Sequence, residues 1–298
     1  MKNSILIAGM ILLAASCSSD ERVNVVEKEA GYAPVIVSVD GFSVTQSEIA
    51  GTRGTAVGDY TSVKFLTLAF YASNGAEIYK HTQNRDDAGT YTTFGEFTTS
   101  LMYGNYTMVV VANGGNNAIT LTSPTVATYG ENNAKDTWAY TQAVNITSNE
   151  AVNLSATLDR ICTFLGVNST DNRPAEVTHM RLTLSAGAKS FSPTTGLATS
   201  NTGFSVTMAF PDATLGSTAA MGTYLFLATD EQTLNVTIET LDAADGNVLF
   251  SKTITDVPFI RNRQTKLTGA IFSGTGTGVS ASGFQVNTDW ITAHNIDF

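Results

Sequence analysis

The chain holds two thiols in 298 residues, and their settings point to different chemistry. Cys17 directly follows Leu13-Ala14-Ala15-Ser16, the small-residue end of an apolar run from Ile5 to Ala15 that begins behind Lys2. A positive start, an apolar stretch and small residues before a cut are the three parts of a secretory signal. A cysteine at that cut is the thiol that lipoprotein processing acylates. Cleavage between Ser16 and Cys17 and lipidation of Cys17, with palmitate among its acyl chains, are therefore expected. The run is too short to span a bilayer. Each buried methylene contributes ~0.8 kcal/mol, so several acyl chains on one cysteine would hold the chain on a membrane where one would not. With Cys17 consumed, Cys162 lacks an intramolecular partner and no disulfide framework is possible. Its apolar neighbours mark it as an inert core thiol.

Little else in the chain promises chemistry. His81, His179 and His294 lie far apart and in no zinc-ligand spacing, and read as surface or strand histidines. Asp242, Asp245 and Asn247 lack the later Glu of a calcium loop and suit a hairpin tip. The glycines from Gly274 to Gly278 precede no phosphate-binding lysine and read as a linker. There is no nucleophile elbow and no paired-cysteine motif. No catalytic residue, no metal and no cofactor are expected, and the chain reads as a non-enzyme. Acidic residues outnumber basic ones 26 to 16, a formal charge of -10. That balance argues against nucleic acid and against anionic lipid surfaces as partners.

The elements that must carry any site are strands. Charged residues are only 14% of the total, while Thr, Ser, Asn and Gly are plentiful, a balance that suits strands and turns. After a polar tether comes the first strand signal, Val35 to Val39, then a turn or bulge at Asp40-Gly41 before Phe42-Ser43-Val44. The segment around Arg53 is rich in Gly and Thr, which makes it exposed and cleavable. Val63 to Tyr71 and Tyr106 to Ala112 are apolar on both faces, as central sandwich strands are. Asn117 to Asn149 is polar and weakly periodic, and predicts a long connection with one short helix near Trp138. Leu154 to Leu158 restarts the strand pattern, and Arg160 to Val167 continues it, so the domain join is placed near Asp159. Phe204 to Phe210 and Leu234 to Ile238 alternate cleanly, and Asp245-Gly246 signals a hairpin turn. The expected order is a signal peptide (1–16), a lipidated tether (17–33), an N-terminal sandwich (34–159) and a C-terminal sandwich (160–298). The class is all-β, with two antiparallel β-sandwich domains in series.

The last residues carry the most information. From 284 onward the even positions are Phe284, Val286, Thr288, Trp290, Thr292, His294, Ile296 and Phe298, with polar residues between most of them. This is strand periodicity, and at about 3.3 Å per residue the stretch would be roughly 50 Å long, more than one strand needs. Such a segment could add to the sheet of a neighbouring molecule. Burying Phe284, Val286, Trp290, Ile296 and Phe298 would contribute on the order of 7–15 kcal/mol before ordering costs. The alternative, a final strand packed within its own domain, stands beside it.

Several motifs occur together: Ala14-Ala15-Ser16-Cys17; Gly51-Thr52-Arg53-Gly54-Thr55; Gly104 to Asn113; Leu158-Asp159-Arg160; and Val257 to Gly269 with Arg261-Asn262-Arg263-Gln264-Thr265 inside it. In order and content they resemble the fimbrillins, lipoprotein-derived pilins of Bacteroidales bacteria. The resemblance implies two transthyretin-like β-sandwich domains and export as a lipidated precursor. It also implies removal of an N-terminal segment by an arginine-specific protease. Carried onto this chain, the cut falls between Arg53 and Gly54 and removes 34–53 with the strand Val35 to Val44; otherwise Arg53 is a plain loop arginine. The lost strand would leave a groove for the C-terminal segment of another subunit. The implied location is the outer membrane surface and the fimbrium. The implied partners are other fimbrial subunits, the outer membrane through the lipid, and a host or bacterial surface ligand. A second reading, from Tyr91, Tyr103, Tyr129 and Tyr140 on an acidic surface, is a surface lipoprotein that binds glycans or host proteins and never polymerises.

Overall fold

A computed structural model describes residues 31–43, 61–130, 134–273 and 285–287. These residues form eighteen strands and, among them, no α-helix. No helix among the described residues is long and apolar enough to cross a membrane.

The N-terminal domain is one seven-stranded sheet rolled onto itself. Its strands are β1 (Tyr32–Ser43), β2 (Phe65–Ala72), β3 (Glu77–Asn84), β4 (Glu96–Met102), β5 (Gly104–Asn113), β8 (Thr137–Ile146) and β9 (Val152–Arg160), in the order β3-β2-β5-β8-β9-β1-β4. Where the sheet turns, β8 and β9 share only two rungs, Trp138↔Arg160 and Ala139↔Asp159. The roll closes where β3 meets β4: Gln83 donates from Nε2 to the Glu96 carbonyl at 2.6 Å and accepts the Gly95 amide at 2.8 Å. The enclosed core takes alternate residues of every layer, among them Val35, Val37, Leu66, Leu68, Phe97, Met108, Val110, Trp138 and Leu158.

In the C-terminal domain, β14 (Ala220–Leu225), β10 (Thr163–Ser169), β17 (Gln264–Gly269) and β18 (Gln285–Asn287) form one sheet in that order. The facing sheet runs β13 (Phe204–Ala209), β11 (His179–Leu184), β15 (Glu231–Leu241), β16 (Val248–Ile260). Leu165, Val167, Leu182, Val236, Ile238, Phe259 and Leu267 meet between them. At the tip of the β15–β16 hairpin, Asp242 accepts the Asn247 amide at 2.7 Å and its side-chain amide at 2.9 Å, the turn role expected for these residues. The fold is thus two β-sandwiches in series, as expected. Nearly all strand pairs are antiparallel, but β1 runs parallel to β9 and β10 parallel to β17.

A third small sheet, β12 (Ser190–Phe191), β7 (Val126–Thr128) and β6 (Thr120–Ser123), lies where the domains meet. It helps bury Ala69, Tyr71, Val109 and Val111 on the outer face of β2 and β5 together with Ile161, Cys162, Phe191 and Phe226. This explains why β2 and β5 are apolar on both faces. The expected long connection over Asn117 to Asn149 is corrected here: the stretch supplies β6, β7 and the ten-residue β8, and Trp138 is a buried strand residue rather than part of a helix. Its polarity misleads because β8 is held by ten rungs to β5 while only some of its side chains are enclosed.

Candidate strand-exchange site

Strand β1 sits between β9 and β4. Seven rungs join it to β4, from Tyr32↔Met102 to Ser38↔Glu96, and eight join it to β9, from Val35↔Val152 to Ser43↔Asp159. The β9 register shifts between Val39 and Gly41, so the Asp40-Gly41 signal is a β-bulge. A bulge inserts one extra residue and re-aims the side chains beyond it. Alternation would otherwise turn Phe42 outward; after the bulge it points inward with Ala33, Val35, Val37 and Val39, each 4% exposed or less. Phe42 lies 5.1 Å from Trp138, centroid to centroid, with the rings inclined at 56°. On the outer side, the Ser155 hydroxyl donates to the Asp40 carboxylate.

Trp138 links this site to the domain join. The Arg160 guanidinium lies 4.7 Å from its ring centroid and forms a two-pronged ion pair with Asp136, Nε to Oδ1 at 2.8 Å and a second nitrogen to Oδ2 at 3.0 Å. Cys162 donates its thiol proton to Asp136 Oδ1 at 3.4 Å. Burial pushes the thiol well above its ordinary range, with the Asp136 charge adding to it, and Cys162 lies in the core as expected. Burial also raises Asp136, opposed by Arg160.

At the far end of the chain, β18 pairs antiparallel with β17 through Thr268↔Gln285, Leu267↔Val286 and Lys266↔Asn287. Val286 is thus placed at the edge of a sheet of its own molecule. Phe284, Trp290, Ile296 and Phe298 lie outside the described residues, as do Ser16, Cys17, Arg53, Gly54 and Val44.

The remaining candidates do not assemble into a site. His81 stacks edge-on with Phe97 at 6.1 Å, and His179 Nδ1 shares a hydrogen bond with Thr178 at 2.8 Å; they belong to different domains. Among the described residues no group of His, Cys, Asp or Glu could hold a metal. The tyrosine-rich surface is corrected: Tyr129 is buried in the interdomain core against Phe226 and shares a 2.6 Å hydrogen bond with Thr137. Tyr91 spends its hydroxyl on the Arg85 carbonyl, and Tyr140 is half-buried, leaving Tyr103 as the exposed member of the four. The strand site could not be read from spacing, because the partners of β1 lie more than fifty residues away in β4 and more than a hundred away in β9.

The architecture is that of a two-domain β-sandwich protein whose first described strand lies inside a sheet, between β9 and β4. The chain belongs to the family of unknown function DUF6562, whose model matches residues 43–292. No curated protein matches the sequence. Among solved structures, a candidate adhesin of Bacteroides ovatus shares the fold with a TM-score of 0.50 at 9% identity, over 89% of this chain and 96% of that one. The fimbrial anchor protein Mfa2 of Porphyromonas gingivalis aligns with a TM-score of 0.47 at 13% identity, over 86% of this chain and 95% of that one. The fold is of the all-β, two-sandwich class expected from the sequence.

Proposed function

We propose that the protein is a structural subunit of a cell-surface fimbria, exported as a lipoprotein through Cys17 and assembled by strand exchange. The observation that carries this reading is the place of β1. It is the first described strand, it is followed by the Arg53 segment, and it lies between β4 and β9 with five side chains enclosed. A cut after Arg53 makes β1 a separate strand. Its loss opens a groove floored by Leu158, Trp138 and Phe97 and leaves two strand edges unpaired, a state that recruits another strand. The C-terminal segment of a second copy, or of a related subunit, has the alternation to fill it, and the chain thereby contributes to adhesion at the outer membrane surface. The protein acts by binding, not by catalysis.

Trimming the full chain with an arginine-specific protease and following it by SDS-resistant ladders and electron microscopy tests the reading. Ladders and filaments that require residues 284–298 are expected. Cleavage that only degrades the chain, or trimmed protein that stays monomeric, overturns it.

A further inference from the structure

Two pairs of named strands run parallel among the described residues: β1 with β9, and β10 with β17. They are consecutive along the chain: β9 ends at Arg160 and β10 begins at Thr163, with only Ile161 and Cys162 between. We propose that these two ladders, joined through residues 160–163, are the tension-bearing path of the molecule, and that Asp171 is the positioning residue that clamps its exit. The proposal rests on the fibre reading for its purpose but not for its test.

The geometry is specific. A strand seated as β1 is seated and pulled from its N-terminal side loads β1 at Tyr32, while β9 is held by the rest of the chain at Arg160. In parallel strands those are opposite ends, so the eight rungs are loaded together, in shear. The same holds next door: β10 is held at Thr163, and tension leaving by the C-terminal segment acts on β17 at Gly269, the opposite end of six rungs. Reversing either attachment would peel the rungs one at a time. An antiparallel pair entered and left through the same two termini would be loaded at one end and would unzip. The join between the ladders is pinned on several sides. The Ile161 amide donates to Thr137 O at 3.0 Å, the Cys162 carbonyl accepts the Asn262 amide at 3.0 Å, the Thr163 hydroxyl donates to Arg263 O at 2.7 Å, and Arg160 grips Asp136.

Past the sheet, contact between the two chain segments continues. Thr170 donates its amide to Gly269 O at 3.0 Å. Asp171 then accepts the amides of Ile271 and Phe272, each at 2.9 Å, and of Ser273 at 2.6 Å, with the Ser273 hydroxyl at 2.7 Å. Phe272 packs 5.5 Å from Phe210, whose ring lies 5.5 Å from the Arg173 guanidinium. One carboxylate thus takes four hydrogen bonds from three consecutive residues, just beyond the end of β17. The loop carrying it continues from β10, so force on the segment returns to the strand that receives it.

Single-molecule pulling on the full chain tests this without any fibre. Handles on the two chain ends load both ladders in shear. Handles at Arg53→Cys and Arg263→Cys load the same strands from their other ends. End-to-end rupture is expected at several times the force of the reversed pull, after a weak first event as the three rungs of β18 peel away. Equal or lower end-to-end force overturns the proposal. Asp171→Ala, with an unchanged circular dichroism spectrum, is expected to lower the end-to-end force and to leave the reversed pull unaltered; a uniform drop in both makes Asp171 merely structural and removes it from the path. If rupture behaves as expected while trimmed protein never polymerises, the fibre reading fails and the mechanical one stands.

Discussion

At the scale of single residues, the side chains that matter most are those that pair unlike neighbours. Phe42 is fully buried between a bulge and Trp138. Phe42→Ala should cost about 3–5 kcal/mol of stability, read by denaturant unfolding, because the rolled sheet cannot collapse onto the space. The sequence showed a bulge or turn signal but not the ring it would be aimed at. Asp171 is governed by opposing effects: burial pushes its carboxyl up, but the Ser273 hydroxyl and the amides of Ile271, Phe272 and Ser273 hold it below the ordinary carboxylate range. A depressed folded-state pKa means the clamp contributes its full stability above the unfolded value of about 3.9 and loses it as pH falls through the lower, folded value. The amide resonances of residues 271–273 should therefore stay fixed from neutral pH down to the ordinary carboxylate range and shift only below it. Movement near pH 6 would contradict this.

At the scale of elements, strands β1 and β18 differ in what their loss would do. β1 has fifteen rungs and a buried face, whereas β18 has three rungs on the sheet edge. Deleting residues 284–298 is expected to leave a folded monomer whose melting temperature falls by at most a few degrees and which joins no ladder. Unfolding of the C-terminal domain would instead make the segment part of that domain's core. The strands themselves were largely legible, since β2, β5, β13 and β15 announce themselves by apolar runs or by alternation. β8 was not, because a strand gripped by a long ladder can keep polar side chains, and single-sequence periodicity detects only burial. The parallel pairing of β1 with β9 was equally invisible: alternation reports which face is buried, not which neighbour lies alongside.

At the scale of the whole molecule, the interdomain core decides behaviour. Tyr71, Tyr129, Cys162, Phe191 and Phe226 are buried where the two sandwiches meet, and the Tyr71 hydroxyl, deprived of water and near Glu77, is pushed up to about 12. An interface of this apolar character couples the domains. The intact chain should unfold in one transition. Phe226→Ala, which removes the ring stacked on Tyr129 and lying 4.5 Å from Phe191, should cost about 3–5 kcal/mol and split unfolding into two steps by calorimetry. A single transition in the variant would mean that the domains communicate through the 160–163 link instead.

Read alone, the amino-acid order determined what local pattern can determine: an all-β class, two domains, the position of most strands, an expected lipidated cysteine, and a terminal segment with the alternation of a strand. Those properties depend on side chains within a few residues of one another. Tertiary structure decided which strands are neighbours. It alone seats β1 between β4 and β9, makes two consecutive ladders parallel, brings Asp171 to residues a hundred positions later, and turns a polar stretch into the ten-rung partner of β5. Such pairings are settled by chain closure and shared burial over long separations, and no short window of sequence contains them.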